Sequence, residues 1–290
     1  MKYITGELFQ SLCGTQVSIE EFMPFEAQDK KLINVYNYDF KNSDKLIYIN
    51  NDLIKGPIDP EHLNKESKQT LVFDKEVNLF KNLKKIKNKF SLVLHNNDSA
   101  FEEEDLKYFS IKNLDKIYAQ NVKTTHPNLI PIPIGLGNSC WPYGDLTAFE
   151  DIEVTENKTK DIYFNFTIEG GCRDVKRPAC FKKCTELGIP WVKSKNQKDY
   201  LTDLSQYKFI VSPEGNGIDC HRTWEALYLK VIPIVDKNVT TEYFSKFFPM
   251  ILIDDWNNFK LDDVLEIYES ADWSNYYLLD FDLFVKKFVG

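Results

Sequence analysis

Two side chains that could bind a diphosphate and a ribose lie three residues apart in one segment of this chain. In residues 209–235, an apolar run is followed by a polar loop with two glycines, an amphipathic stretch and a second apolar run. The guanidinium of Arg222 suits phosphate oxygens, and the carboxylate of Glu225 suits vicinal hydroxyls. An alternative is an exposed ion pair of adjacent helical residues, which would contribute only ~0.3 kcal/mol to the stability of the helix.

This order of runs predicts a strand, a loop, a helix and a second strand. Asp219 occupies the expected N-cap position, and Cys220, Trp224, Leu227 and Val231 share the predicted core face of the helix. Such a unit places a ligand at a helix N-terminus, where free N–H groups favour phosphate. The candidate ligand-binding residues of this segment are Ser212, Glu214, Gly215, Asn216, Gly217, Asp219, His221, Arg222 and Glu225.

The use of arginine in this chain is selective. Of 36 lysine and arginine residues only three are arginine, namely Arg173, Arg177 and Arg222. A planar, forked guanidinium is favoured where phosphate or carboxylate is recognised. All three follow predicted strands, whose carboxyl ends meet at one edge of a parallel sheet. We therefore add Arg173 and Arg177 to the candidate donor site; the alternative is three ordinary surface cations.

A second candidate site follows an apolar run in the first half of the chain. The polar residues 95–98 come directly after the predicted strand 90–94. Asp98 could act as a general base, with His95 or Asn97 as an orienting group on the acceptor side. The alternative from local sequence is a turn followed by the N-cap of an acidic helix.

The sequence offers little for a metal or for disulfide bonds. Asp254 and Asp255 follow an apolar strand, but a loop N-cap accounts for them equally well, and we predict no metal site. The cysteines, at 13, 140, 172, 180, 184 and 220, include no CxxC pair, and no histidine neighbours Cys180 and Cys184, which are one helical turn apart. Buried thiols are therefore expected.

Composition limits the classes of partner. The net charge of −8 disfavours nucleic acid and anionic lipid. No run is long and apolar enough for a membrane helix, and the first residues lack a signal-peptide core, so we expect a soluble, cytoplasmic protein without an integral membrane segment.

Apolar runs alternate with helical stretches along the chain, which predicts an α/β fold with mainly parallel sheets. Strands are expected at 46–49, 90–94, 116–119, 129–134, 162–166, 189–192, 209–211, 231–235 and 250–253. A polar, acidic stretch near residues 143–161 suggests a domain boundary. We predict domains at 1–145 and 146–273, both Rossmann-like, and a C-terminal helix in 274–290 that returns towards the first domain.

The glycine-loop segment resembles the exostosin-like glycosyltransferases, which include soluble forms from large DNA viruses and bacteria. The resemblance rests on Ser-Pro-Glu-Gly-Asn-Gly-Ile-Asp-Cys-His-Arg-Thr-Trp-Glu-Ala-Leu at 212–227 and Val-Ile-Pro-Ile-Val at 231–235. Residues 95–98 and 129–136 are similar to weaker landmarks of the family, so the resemblance extends over most of the chain. Eukaryotic members have a membrane anchor that this chain lacks, which favours a viral or bacterial setting.

The resemblance implies a GT-B fold, with an acceptor-binding domain and a nucleotide-sugar-binding domain that face each other across a cleft. It also implies inverting transfer from a nucleotide sugar, usually UDP-linked, without an essential metal or other cofactor. Arg222 and the loop with Arg173 and Arg177 would hold the diphosphate, Glu225 the ribose, and Asp98 would deprotonate the acceptor.

These expectations together predict an inverting glycosyltransferase that moves a sugar, with xylose favoured, from a UDP-sugar to a hydroxyl of a glycan or glycoprotein. Two alternatives stay open. One is a GDP-fucose-dependent fucosyltransferase, which also carries a Ser-Pro-Glu-like strand end. The other is an inactive glycan-binding protein on the same fold.

Overall fold

The computed structural model describes residues 1–17, 44–50, 79–155, 157–168, 176–193 and 195–290. The chain forms two compact units. Glu7–Ile132 make up the N-terminal unit, and Met1–Gly6 join Pro133–Gly290 in the C-terminal unit. The division at Ile132 precedes the acidic stretch in which the sequence suggested a boundary. Arg173 and its glycine-containing loop lie outside the described residues.

The N-terminal unit contains a five-stranded sheet in the order β1-β2-β3-β4-β5, with all neighbouring strands parallel. The strands are β1 (Thr15–Val17), β2 (Leu46–Asn50), β3 (Phe90–His95), β4 (Leu114–Ala119) and β5 (Leu129–Pro131). The helices are α1 (Gly6–Ser11), which starts at the boundary between the units, α2 (Leu79–Leu83) and a 3₁₀ helix over Glu103–Ser110.

The C-terminal unit contains a four-stranded parallel sheet in the order β6-β7-β8-β9. Its strands are β6 (Lys160–Tyr163), β7 (Tyr207–Ser212), β8 (Ile232–Asp236) and β9 (Ile251–Ile253). Its α-helices are α3 (Lys176–Glu186), α4 (Gln197–Leu204), α5 (His221–Tyr228), α6 (Val239–Phe244), α7 (Asp262–Leu265) and α8 (Phe281–Phe288). Four 3₁₀ helices complete the described part of this unit, at Leu146–Phe149, Trp256–Asn258, Tyr268–Ser270 and Tyr276–Leu279.

Two parallel sheets with interspersed helices confirm the predicted α/β class. The apolar runs become strands because burial on both faces of a parallel sheet removes their side chains from water. In β7, the side chains of Phe209, Ile210 and Val211 are fully buried. On α5, Trp224 and Leu227 are also fully buried, as the predicted core face requires.

One predicted strand is wrong, and the predicted C-terminal helix is shorter than expected. Residues 189–192 form no strand, although the amide of Val192 donates to the carbonyl of Phe164 at 2.9 Å. The tail after residue 274 is divided into a 3₁₀ turn and α8, because Asp280 is extended and caps α8 by accepting from the amide of Asp282. Pro233, unusual for an interior strand, lies in β8 and pairs in register with Ile210 of β7.

One hydroxyl connects three segments of the C-terminal unit. The amide of Ile4 donates to the Tyr228 hydroxyl at 2.7 Å, and this hydroxyl donates to the Leu279 carbonyl, also at 2.7 Å. The amide of Phe281 donates to the carbonyl of Lys2 at 2.8 Å. The first residues are thereby packed into the same unit as the last helix.

Within the described residues, no helix has both the length and the apolar character needed to cross a membrane.

Candidate functional site

The candidate site is built at the carboxyl edge of the C-terminal sheet, where β7 passes through the glycine loop into α5. Ser212 ends β7, and its buried hydroxyl lies 3.0 Å from the hydroxyl of Thr223 on α5. This hydrogen bond joins the strand end to the first turn of the helix. The loop between them, residues 213–220, therefore has both of its ends fixed.

The buried carboxylate of Asp236, at the end of β8, holds the start of this loop. It accepts from the Glu214 amide at 2.7 Å and from the Trp256 indole N–H at 2.8 Å. Burial raises the pKa of Asp236, and the hydrogen bond from the Glu214 amide partly offsets this rise. Sequence reasoning missed Asp236, although its position directly after an apolar strand was the available signal.

The side chain of Glu214 turns into the protein. Its carboxylate accepts from Lys176 Nζ at 2.7 Å and from Asn238 Nδ2 at 2.9 Å, and the side chain is only 6% exposed. The sequence predicted Glu214 to be one of the ligand-binding residues of this loop. In the structure both carboxylate oxygens are already bonded to protein groups, so Glu214 acts as a support of the loop.

Arg177 holds the same loop from α3. Its Nε donates to the carbonyl of Glu214 and its Nη1 to the carbonyl of Thr167, both at 2.8 Å. The guanidinium passes so close to Gly215 that a Cβ there would lie 2.7 Å from Nη2. A side chain at position 215 would therefore require the guanidinium of Arg177 to shift.

The tip of the loop is formed by Asn216, which is exposed, and Gly217, which is buried. The amide of Gly215 donates to the carbonyl of Gly217 at 3.0 Å and closes a tight turn. The Asn216 side chain therefore projects from a fixed backbone.

The sequence predicted Asp219 as the N-cap of α5, and this prediction is wrong. The N-cap is Cys220, which makes no side-chain capping bond. The Asp219 carboxylate instead accepts from the Trp224 indole N–H at 2.9 Å and from the Ile134 amide at 2.8 Å. Burial raises the pKa of Asp219 to about 6, against the effect of these bonds. Cys220 supplies no side-chain acceptor to the first turn of α5.

His221 is the first residue of α5. Its Nδ1 lies 2.7 Å from the carbonyl oxygen of Gly135, which requires the protonated Nδ1 tautomer for a hydrogen bond. The ring is half-buried and is fixed in orientation by this contact.

Arg222 differs from Arg177 in its surroundings. It is half-buried, and within the described part of the chain its guanidinium forms no hydrogen bond or salt bridge. Its charge acts on Glu225, Tyr200 and Tyr163, and lowers the pKa of each against the effect of burial. A cation without a bonded acceptor beside a helix N-terminus is an arrangement that favours an anion.

Glu225 lies one turn further along α5. It is 7% exposed and accepts a hydrogen bond from the Tyr200 hydroxyl at 2.9 Å. Burial raises its pKa, and Tyr200 and Arg222 oppose that rise. Tyr200 was missed by sequence reasoning, since nothing in the sequence connects α4 with α5 over this distance.

The second candidate site, in the N-terminal unit, is a turn at the end of β3. Asn96 adopts a left-handed conformation (φ 59°), and the Asn97 carbonyl accepts from Gln120 Nε2 at 3.0 Å and from Asn121 Nδ2 at 3.1 Å. The Asn97 side-chain oxygen accepts from the amide of Ser99. These bonds fix the turn that presents the exposed Asp98.

His95 does not lie at the surface of this turn. Its ring is buried, packs on Phe9 with centroids 5.3 Å apart, and accepts at Nδ1 from the Asn96 amide at 2.7 Å. In this arrangement His95 supports the backbone before Asp98.

The structure thus gathers Ser212, Glu214, Gly215, Asp219, Arg222 and Glu225 around one loop and helix, with Arg177 behind the loop. Asp98, His95 and Asn97 lie in the other unit. Among the described residues, no group of three or more His, Cys, Asp or Glu side chains is placed to hold a metal ion. Asp255 caps the 3₁₀ helix at Trp256–Asn258, and Asp254 pairs with Lys237 at 2.9 Å.

Comparison of the chain with protein-family models gives no match, and comparison with curated proteins gives none either.

Proposed function

We propose that this chain is an inverting glycosyltransferase of the GT-B type that transfers a sugar from a UDP-sugar to a hydroxyl of a glycan. The observation that carries the proposal is the guanidinium of Arg222. It is half-buried at the first turn of α5 and, in the described residues, lacks a bonded acceptor, whereas Arg177 donates to two carbonyl oxygens. A diphosphate would supply the acceptor that Arg222 lacks.

In the proposed mechanism, the oxygen atoms of the diphosphate accept from the guanidinium of Arg222 at the N-terminus of α5. Asp98 removes the proton of the acceptor hydroxyl, and the resulting nucleophile attacks the anomeric carbon as its bond to the diphosphate breaks. The negative charge that develops on the leaving UDP is stabilised by Arg222 and the helix dipole. Glu225, oriented by Tyr200, accepts hydrogen bonds from the ribose hydroxyls.

Support for a carbohydrate-active enzyme also comes from the rigidity of the site. Four side chains from outside the loop bond to it, namely those of Asp236, Lys176, Asn238 and Arg177. A pre-organised loop binds a flexible ligand such as a nucleotide sugar with a smaller entropy cost.

A thermal-shift panel of UDP, GDP and the UDP-sugars, including UDP-xylose, tests the donor. A ligand at 100 times its Kd adds about 2.7 kcal/mol to the free energy of unfolding. We expect UDP and at least one UDP-sugar to stabilise the chain, and that UDP-sugar to release free sugar slowly on incubation. Stabilisation by GDP alone would favour the fucosyltransferase alternative, and nucleotide binding without any hydrolysis or transfer would favour an inactive binding protein.

A further inference from the structure

Two exposed aromatic rings lie side by side in the loop that precedes the first 3₁₀ helix of the C-terminal unit. Trp141 is 39% exposed and Tyr143 is 43% exposed. Their rings are nearly parallel, with 3° between the planes and 6.1 Å between the centroids. Because ring atoms in contact are about 3.5–4 Å apart, the rings must be offset, so that each keeps part of its surface accessible. Adjacent exposed aromatic side chains commonly mark a binding surface.

The loop that carries the two rings is held in place. The Trp141 amide donates to the Asn138 carbonyl at 3.0 Å, and the Gly144 amide donates to the Trp141 carbonyl at 2.9 Å. Gln197 Nε2 donates to the Tyr143 carbonyl at 2.6 Å from α4. The Tyr143 ring packs on Gly137, where a Cβ would lie 2.7 Å from the ring. The aromatic pair is therefore ordered before any ligand binds.

Polar side chains lie near the backbone of this pair. Asp145 follows Tyr143 by two residues, and Lys198 follows Gln197; the charges of Asp145 and Lys198 interact. A flat apolar surface with a polar rim matches a sugar ring, which presents C–H groups on its face and hydroxyls at its edge. Two rings are too small an area for a stable protein interface, which buries about 800 Å² on each partner.

The aromatic pair is close to the candidate donor site. The ring centroids of Tyr143 and His221 are 5.6 Å apart, and His221 is followed by Arg222 on α5. Because His221 is the first residue of α5, a saccharide on the pair would lie near the helix N-terminus at which the diphosphate is proposed to bind.

We propose that Trp141 and Tyr143 form a stacking platform for a sugar ring of the saccharide that takes part in transfer. The role of the platform in sugar transfer rests on the proposed function, whereas the binding of a sugar to the two rings does not. The sugar could belong to the acceptor glycan or to the donor, and the two sources make different kinetic predictions.

The variants are Trp141→Ala, Trp141→Phe as the conservative replacement, and Tyr277→Ala as a matched control, since Tyr277 is 49% exposed elsewhere in the same unit. Saturation-transfer NMR with xylotriose, cellotriose and chitotriose measures sugar binding directly. We expect Trp141→Ala to lose the signal of at least one trisaccharide at an unchanged melting temperature. Trp141→Phe should retain most of it, and Tyr277→Ala should match the wild type.

Kinetics separate the two sources of sugar. A tenfold or greater rise in KM for the acceptor at unchanged donor KM assigns the platform to the acceptor, and the reverse assigns it to the donor. The platform is overturned if Trp141→Ala leaves trisaccharide binding and both KM values at wild-type levels. Failure of the proposed function would look different: no nucleotide would bind to the wild type, while the NMR comparison would still decide the platform.

Discussion

The Nε of Arg177 donates to the backbone carbonyl of Glu214 at 2.8 Å, so this arginine is part of the support of the glycine loop. Arg222 comes from the same sheet edge but has no hydrogen-bonded acceptor among the described residues. Two arginines that look equivalent in the sequence therefore have different surroundings, and they should respond differently to substitution.

Arg222→Lys should weaken nucleotide binding without changing the fold. Lysine keeps the charge but loses the planar fork that makes two parallel hydrogen bonds to a phosphate. We expect the Kd for UDP, measured by calorimetry, to rise about tenfold or more, which corresponds to about 1.4 kcal/mol. Lys182→Gln on the exposed face of α3 serves as the charge control. An unchanged Kd for UDP in Arg222→Lys would show that Arg222 is an ordinary surface cation.

Arg177→Ala should instead lower stability. Its removal leaves the carbonyls of Glu214 and Thr167 without their charged donor, and hydrogen bonds to charged groups contribute about 1.5–3 kcal/mol each. We expect a loss of about 2–3 kcal/mol in the free energy of unfolding, measured by urea denaturation. Lys183→Ala on the same helix is the control. Equal midpoints and slopes for Arg177→Ala and the wild type would contradict this role.

Asp98→Asn should abolish transfer while nucleotide binding stays intact. Asparagine has nearly the same shape but cannot take the proton of the acceptor hydroxyl. Loss of a general base costs about 10²-fold or more in rate. Turnover with a UDP-sugar and the Kd for UDP should both be measured, with Asp115→Asn as the control in the same unit. Transfer at the wild-type rate in Asp98→Asn would remove Asp98 from the mechanism.

The free energy of unfolding should depend on pH through the titration of Asp219. Burial raises its pKa from 3.8 to about 6, so between these values the folded state binds more protons than the unfolded state. The free energy of unfolding therefore falls as pH rises from about 4 to about 6 and this contribution is constant above that window. The shift corresponds to about 3 kcal/mol at most.

Urea denaturation of the wild type and Asp219→Asn at pH 4, 5, 6 and 7 measures this contribution. Asparagine keeps an acceptor for Trp224 but does not ionise. The stability of the wild type relative to the variant should be greatest near pH 4 and should decline towards pH 7. Parallel pH profiles would show that Asp219 titrates normally.

The sequence was sufficient to predict the α/β class, most strands and the buried face of α5, because these depend on apolar runs and on helical periodicity. It was insufficient for Asp219, since a residue before a helix looks like an N-cap whether its carboxylate bonds to the first turn or to Trp224. Tyr200 and Lys176 were missed for a related reason. Their bonds to Glu225 and Glu214 join elements far apart in the chain, and no local pattern encodes such contacts.

The bridging hydroxyl of Tyr228 has a consequence for the order of folding during synthesis. The N-terminal unit is one continuous stretch, Glu7–Ile132, and can assemble as soon as it leaves the ribosome. The C-terminal unit needs Ile4 and Leu279 on the same hydroxyl. The amide of Ile4 and the carbonyl of Lys2 therefore meet their partners, Tyr228 and Phe281, only after most of the chain has been translated, and the interval is set by the rate of translation.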